Sequence, residues 1–319
     1  HSANHWANQW GITEGVFQTQ WEAVRQKLFQ ARKKRVPPLK DDKILTDWNG
    51  LMIAAFAMGA RVLNRSEYET MAVKAADFIW ENLKTQEGRL LHRFRDGQAA
   101  IDGTATDYAY YIMGLLELYR TTFQVANLER AIVLQERMIE DFWNESSGGF
   151  YLTARQSSDL PIRPMEIYDG AIPSANSVGL GNLIQLSRLT GTVKWEDMAH
   201  KMLQAFGEKI NDYPPAYTYF LMGVGYTLGR SCQVVLVGDP NEQDTQLLLN
   251  SLNQNFRPGM GVVLKTDENK GSLAELAQFT NALRRENQKP TAYVCKGLHC
   301  DRPTTDMAEM IALIQKRNF

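Results

Sequence analysis

A chain of 319 residues with 44% hydrophobic content can form one large domain or two ordinary ones and bury a sizeable core. Its 35 Lys and Arg almost balance 36 Asp and Glu, which excludes an overall field that would draw it to nucleic acid, anionic membrane or acidic substrates. No apolar run approaches the roughly 20 residues of a membrane span, and His1 to Trp10 has neither the basic nor the apolar region of a secretory signal. The three cysteines, Cys232, Cys295 and Cys300, suit a reducing compartment better than a disulfide framework. The expectation is a cytoplasmic protein with no membrane or nucleic-acid partner, and the first residue, not being Met, reads as a processed, tagged or excised start.

The first predicted element, Trp21 to Arg35, is a basic amphipathic helix stopped by Pro37 and Pro38, its charges forming a solvated face. Up to about residue 230 the chain then alternates two kinds of helix. Asn49 to Leu63, Tyr108 to Tyr119 and Ser177 to Leu189 are apolar on nearly every face, which predicts burial all round. Between them lie one-sided stripes: Tyr68, Met71, Ala75, Phe78 and Ile79; then Leu128, Ala131, Ile132, Gln135 and Met138; then Trp195, Met198, Met202 and Phe206. No strand pair is predicted in this stretch. A fourth buried helix follows Pro214 and Pro215, in AYTYFLMGVGYTLG. Alternation of enclosed and amphipathic helices predicts two concentric helical layers built from hairpins with variable loops. After Gly229 short β-branched runs alternate with polar helices: Gln233 to Val237, Glu242 to Gln254, Gly261 to Leu264, Leu273 to Phe279, Ala292 to Cys295 and Asp306 to Lys316. The division predicted is residues 1–230, helical hairpins, and residues 231–319, a small α/β unit. A strand ending in VGDP is not followed by a phosphate-binding glycine motif, so this unit reads as a structural layer.

Polar and aromatic residues gather where each buried helix starts: Asp47, Trp48 and Asn49; Asp102, Thr106, Asp107 and Tyr108; Asp169, Ser174, Asn176 and Ser177; Tyr213, Tyr217 and Tyr219. Capping accounts for part of this, but it does not need Trp and several Tyr. If the inner helices run the same way, their starts converge on one end of a central cavity. Aromatic faces with carboxylates and amides are the composition of a sugar site. Paired carboxylates could supply a proton donor and acceptor, from Asp47, Asp102, Asp107, Glu166 and Asp169, though spacing does not say which two meet. His92 reads either as a general acid or base or as a loop-surface histidine; Arg93 and Arg95 beside it could hold an anionic group or be solvated. Cys295 and Cys300 bracket KGLH and read first as structural thiols, then as a redox-linked pair, and least as a metal site. No metal and no cofactor is expected.

The wording of several segments goes further. RVPPLKDDKILTDWNGLMIAAFA, DGTATDYAYYIMGLLELY, MIEDFWNESSGGFYLT, RPMEIYDGAIPSANSVGLGNL and YVCKGLHCDRPTTD resemble, in order, motifs of the YyaL and spermatogenesis-associated protein 20 family, through nearly all of residues 20–319. The resemblance implies a mainly α fold, an (α/α)6 six-hairpin toroid similar to N-acylglucosamine 2-epimerases and glycosidases, which in the family follows a thioredoxin-like domain. DYAYY and WNESSGGFY also resemble epimerase segments directly. The thioredoxin-like domain and the first hairpins are not in this sequence, so the ring is expected to be incomplete at its N-terminus, as a fragment or truncated homologue, or completed by a partner chain. Thr106 stands where relatives carry a second acidic residue before the Asp-Tyr pair, which weakens a paired-carboxylate mechanism at that spot. The implied function is a domain that binds a sugar or sugar-derived molecule and epimerises, isomerises or hydrolyses it. Asp107, Asp47 and Asp169 would be catalytic; Trp48, Asn49, Arg93, Tyr108, Glu166, Ser174, Asn176 and Tyr217 would bind substrate. The alternative is a non-catalytic recognition or scaffold domain working with a thioredoxin-like partner.

Overall fold

The computed structural model describes residues 1–156, 162–228, 232–253, 259–297 and 299–317. The chain divides into two compact units, His1–Asp42 and Lys43–Phe319. The first is a helical hairpin of α1 (Ala3–Trp10) and α2 (Glu14–Lys33). Gly11, at φ 67°, ends α1 in the left-handed conformation that costs glycine least, and the Thr13 side chain accepts the Val16 N–H to start α2. The predicted helix at Trp21 therefore begins about two turns earlier, at this cap.

The second unit opens with β1 (Ile44–Leu45), α3 (Thr46–Leu63) and α4 (Ser66–Asn82), then β2 (Leu91–Arg95) and β3 (Gln98–Asp102), then α5 (Ala105–Thr122), α6 (Val125–Phe142), α7 (Ala175–Thr190), α8 (Val193–Asp212) and α9 (Thr218–Leu228). The fold is mainly α. Hairpins α3/α4, α5/α6 and α7/α8, with α9 after them, form the two layers of an (α/α) toroid, α3, α5, α7 and α9 being the inner helices. Helix α5 is buried on every face, whereas α6 and α8 bury one stripe each. On α4 the stripe lies about one residue away from its predicted position: Ala72, Ala76 and Ile79 are buried and Met71 is 52% exposed. Helices α3 and α5 touch backbone to backbone, for a Cβ on Gly50 would lie 2.5 Å from the Tyr110 carbonyl carbon, and one on Gly114 would lie 2.8 Å from the Gly50 oxygen.

The inner helices run parallel. At one end the Asp47 N–H, in the first turn of α3, reaches Asp107 in the first turn of α5, and at the other Arg61 pairs with Glu117 at 2.7 Å. Further round, Asn182 of α7 donates to the Ala109 carbonyl of α5, and Asp169 bonds N–H groups at the starts of both α7 and α9.

The helical region does contain strands, contrary to expectation. β1, β2 and β3 form an antiparallel sheet in that order. The turn between β2 and β3 is Asp96-Gly97, at φ 52° and 76°, the pair of left-handed residues that a two-residue hairpin of right-handed twist requires.

The C-terminal elements follow the predicted order: β4 (Gln233–Val237), α10 (Gln243–Asn253), β5 (Gly261–Lys265), α11 (Lys270–Leu276), β6 (Thr291–Lys296), β7 (His299–Cys300) and α12 (Met307–Arg317). The sheet order is β5-β4-β6-β7, with β4 and β5 parallel and the remaining pairs antiparallel. Strand alternation divides its side chains. Val235, Val263 and Cys295 join the core of the helices, while Val234, Leu236, Val262, Val294, Met310 and Ile314 form a second core. Cys295 and Cys300 stand directly opposite across β6 and β7 and are joined as a disulfide, where structural thiols were expected. Among the described residues no helix is long and apolar enough to cross a membrane.

Candidate functional site

Asp107 organises the end of the unit where the inner helices begin. In the first turn of α5, its Oδ2 accepts the Thr104 N–H at 2.8 Å and the Thr104 hydroxyl at 3.1 Å. Its Oδ1 accepts the Asp47 N–H at 3.1 Å and lies 2.9 Å from His92 Nδ1. The carboxylate is wholly buried. One side chain thus caps α5, fixes the first turn of α3 and holds a histidine from β2.

His92 is therefore not a loop-surface residue. It sits on a strand, half-buried, and its pKa is raised first by the hydrogen bond to Asp107, against the desolvation that opposes it, with further help from the charges of Asp107 and Asp47. Nδ1 is committed to Asp107; Nε2 has no hydrogen-bond partner among the described residues. Asp47, whose Oδ1 accepts the Trp48 N–H at 2.7 Å, has its pKa raised by burial and then by the neighbouring Asp107 charge. Side-chain donor atoms of Asp47, His92 and Asp107 lie within 4.8 Å of one another, near enough to surround a cation. Asp107 is already saturated by four hydrogen bonds, so Asp47 and His92 are the two with capacity to spare.

The remaining predicted residues separate by role. Trp48, next to Asp47 in the first turn of α3, is 60% exposed. The Asn49 amide donates to the Leu45 carbonyl within α3's own first turn. Arg93 follows His92 on β2, and strand alternation puts it on the opposite face. Tyr108 is core: its hydroxyl accepts the Leu90 N–H at 2.9 Å, and burial pushes its pKa to about 12. Asp169 accepts the N–H groups of Ser174, Tyr219 and Phe220 at 2.9, 2.8 and 3.0 Å, clamping the starts of α7 and α9. Ser174 caps α7 through the Ser177 N–H. Asn176 spends its amide on Phe150 and on the Glu166 carbonyl, and Tyr217 is buried.

Glu166, Ser174 and Asn176 line a recess of about 250 Å³ between the starts of α5 and α7, with Thr106, Tyr110 and Tyr168. Tyr110 was not anticipated. Its hydroxyl donates to the Pro173 carbonyl, and its ionisation is suppressed by burial and then by the charges of Asp47 and Asp169. The signal was present in DYAYY, where Tyr110 lies three residues after Asp107 and shares its helix face. A larger cavity of about 380 Å³ runs between the inner helices, mostly apolar, with the Arg61–Glu117 pair, Asn182 and Tyr219 among its walls.

No protein-family model matches the chain. Over 96% of its residues it is 32% identical to spermatogenesis-associated protein 20 of Rattus norvegicus, and over 95% it is 32% identical to the protein of that name from Homo sapiens. In each case it spans 41% of the relative's length. Among solved structures, a cellobiose 2-epimerase from Bacillus thermoamylovorans aligns over 68% of this chain and 62% of its own, at TM-score 0.48 and 16% identity. A GH76 α-mannanase from Bacteroides thetaiotaomicron aligns over 69% and 58%, at TM-score 0.48 and 13% identity. The likeness runs over nearly every residue of the chain, and the rat and human spermatogenesis-associated protein 20 are its homologues over that stretch.

Proposed function

We propose that the end of the second unit where the inner helices begin binds a sugar or sugar-derived small molecule, and that His92 and Asp47 move protons on it in an isomerisation or epimerisation. The observation that carries this reading is the pairing of half-buried His92 with buried Asp107, with Asp47 beside them. Proton removal next to a carbonyl, and return at another position, needs one group that accepts and one that donates. Asp107 is sealed and saturated, so it serves as a positioning residue: holding Nδ1 sets the tautomer and turns Nε2 towards a ligand. Asp47, with its raised pKa, is suited to hold a proton for delivery. Glycoside hydrolysis by a carboxylate pair would need both carboxylates to reach the substrate, and the enclosure of Asp107 weighs against it. The exposed face of Trp48 can stack on a pyranose ring.

The test is a panel of aldoses, ketoses and N-acyl amino sugars, followed by thermal shift and by NMR in D2O. A ligand should raise the melting temperature and take up deuterium at the carbon next to its carbonyl, and His92→Asn should abolish exchange while the shift persists. Binding without exchange in the unaltered protein would refute the proton-transfer role and leave recognition alone. A panel with neither shift nor exchange refutes the reading entirely.

A further inference from the structure

The α/β unit carries a pocket that the sugar reading does not use. Parallel strands β4 and β5 end side by side at Val237 and Lys265, and the Gly238 N–H bonds the Lys265 carbonyl just beyond them. The residues before β6 return to this same edge, because Thr291 pairs with Val237. Between these segments and α11 lies a recess of about 490 Å³. The crevice outside the carboxyl ends of parallel strands is where open α/β sheets take ligands, and the volume suits a small molecule rather than a bare ion.

The walls are cationic. Lys265, Lys270, Arg284 and Arg285 line the recess against one acid, Asp267. Two of the cations are compensated: Lys270 pairs with Asp267 at 2.9 Å, and Arg285 with Glu242, at the margin, at 2.8 Å. The neighbouring Asp239 carboxylate accepts from Asn241. The other two have carbonyl partners and, among the described residues, no carboxylate. Lys265, 6% exposed, gives its ammonium protons to the carbonyls of Thr280, Asn281 and Leu283, and exposed Arg284 donates to those of Asn281 and Leu283. A buried ammonium without a counter-ion is costly. Its pKa is lowered by burial first and then by the Arg284 and Lys270 charges, which is the mark of a positive field at this edge.

We propose that this recess binds a small phosphorylated molecule, its phosphate held by Arg284 and Lys270 above the buried charge of Lys265. The excess positive charge of the recess suits a phosphate monoester: Lys270 can share its ammonium between Asp267 and the ligand, and the guanidinium of Arg284 offers the planar donor fork that phosphate oxygens accept. Lys265 contributes field rather than contact, since its protons are engaged.

Isothermal titration of the whole chain with inorganic phosphate and phenyl phosphate, with phenol as the uncharged control, tests this. Phenyl phosphate should bind, phenol should not, and the affinity should fall with added salt. Arg284→Gln should weaken phenyl phosphate about tenfold or more, and Arg284→Gln with Lys270→Gln should abolish it; both residues are exposed, so these variants fold even if Lys265→Met does not. The probes carry no sugar and His92→Asn should leave their binding unchanged, so this result stands apart from that at the helix starts. Absence of phenyl phosphate binding, or undiminished binding to the double variant, overturns the proposal.

Discussion

Replacing Asp107 by Asn tests the centre of the site through stability and pH together. The amide keeps the size of the carboxylate but offers one oxygen where two accept. With that oxygen towards Thr104, the NH2 faces the Asp47 N–H; turned the other way, it faces the Thr104 N–H. Either orientation sets a donor against a donor in a site with no exposure. A lost hydrogen bond to a charged group costs about 1.5–3 kcal/mol and a weakened helix cap about 1 kcal/mol, so the fall should be about 3 kcal/mol. At about 2 °C per kcal/mol for a unit of this size, the melting temperature drops about 6 °C. The drop should itself depend on pH. His92 has its pKa raised above 6.5 by Asp107, so the contribution of the charged pair is fully present below about pH 6.5 and is lost as pH rises through the folded-state value. Thermal denaturation of both proteins by circular dichroism should therefore give a larger difference at pH 6 than at pH 9, and the His92 imidazole should titrate lower in the variant by NMR. A pH-independent difference, or an unshifted His92, would show that the pair does not hold the imidazolium.

Other substitutions follow from the same geometry. Asp47→Asn removes a carboxylate whose ionisation is opposed by burial and by Asp107, while its side-chain oxygen still accepts the Trp48 N–H; its melting temperature at pH 7 should equal or exceed that of the parent, and any sugar exchange should vanish. Because the Asp47 pKa is raised, the penalty relieved is absent below about pH 3.8 and grows as pH rises through the folded value, so the gain should fade in acid. Asp169→Ala strands three backbone N–H groups at the starts of α7 and α9 and should cost about 2–3 kcal/mol by chemical denaturation; a silent substitution would refute its clamping role. Gly50→Ala drives a methyl group into the backbone of α5 and should cost more than about 3 kcal/mol or prevent folding, whereas Gly181→Ala, on α7 with open space at its Cβ, should stabilise by about 0.5–1 kcal/mol.

What could be read from the sequence depended on whether a feature was written within one element or between two. Helix α5 was legible because DYAYYIMGLLELY is apolar on every face, and no packing other than enclosure satisfies it. The stripe on α4 was placed about one residue off because weight was given to Met71 and Phe78, whereas close approach of helices is served by small side chains, here Ala72 and Ala76. The β2–β3 hairpin escaped because LHRFR mixes polar and apolar residues at both parities; only Asp96-Gly97 marked it, and that is a statement about a turn rather than a sheet. Asp47 and His92 meet Asp107 across 60 and 15 residues. That meeting follows from parallel neighbours and from a strand laid beside the start of α3, neither of which has a spacing rule. For Asp107, capping a helix and orienting a neighbouring side chain are not alternatives. The hydrogen bonds that satisfy the starts of α3 and α5 leave one lone pair for His92, and a carboxylate whose other lone pairs are spent on two backbone N–H groups and the Thr104 hydroxyl can orient an imidazole without competing for what the imidazole faces. A stable cap is in this sense the most rigid mount available for a proton-transferring side chain, and residues that look most ordinary at helix starts are the ones best able to aim their neighbours.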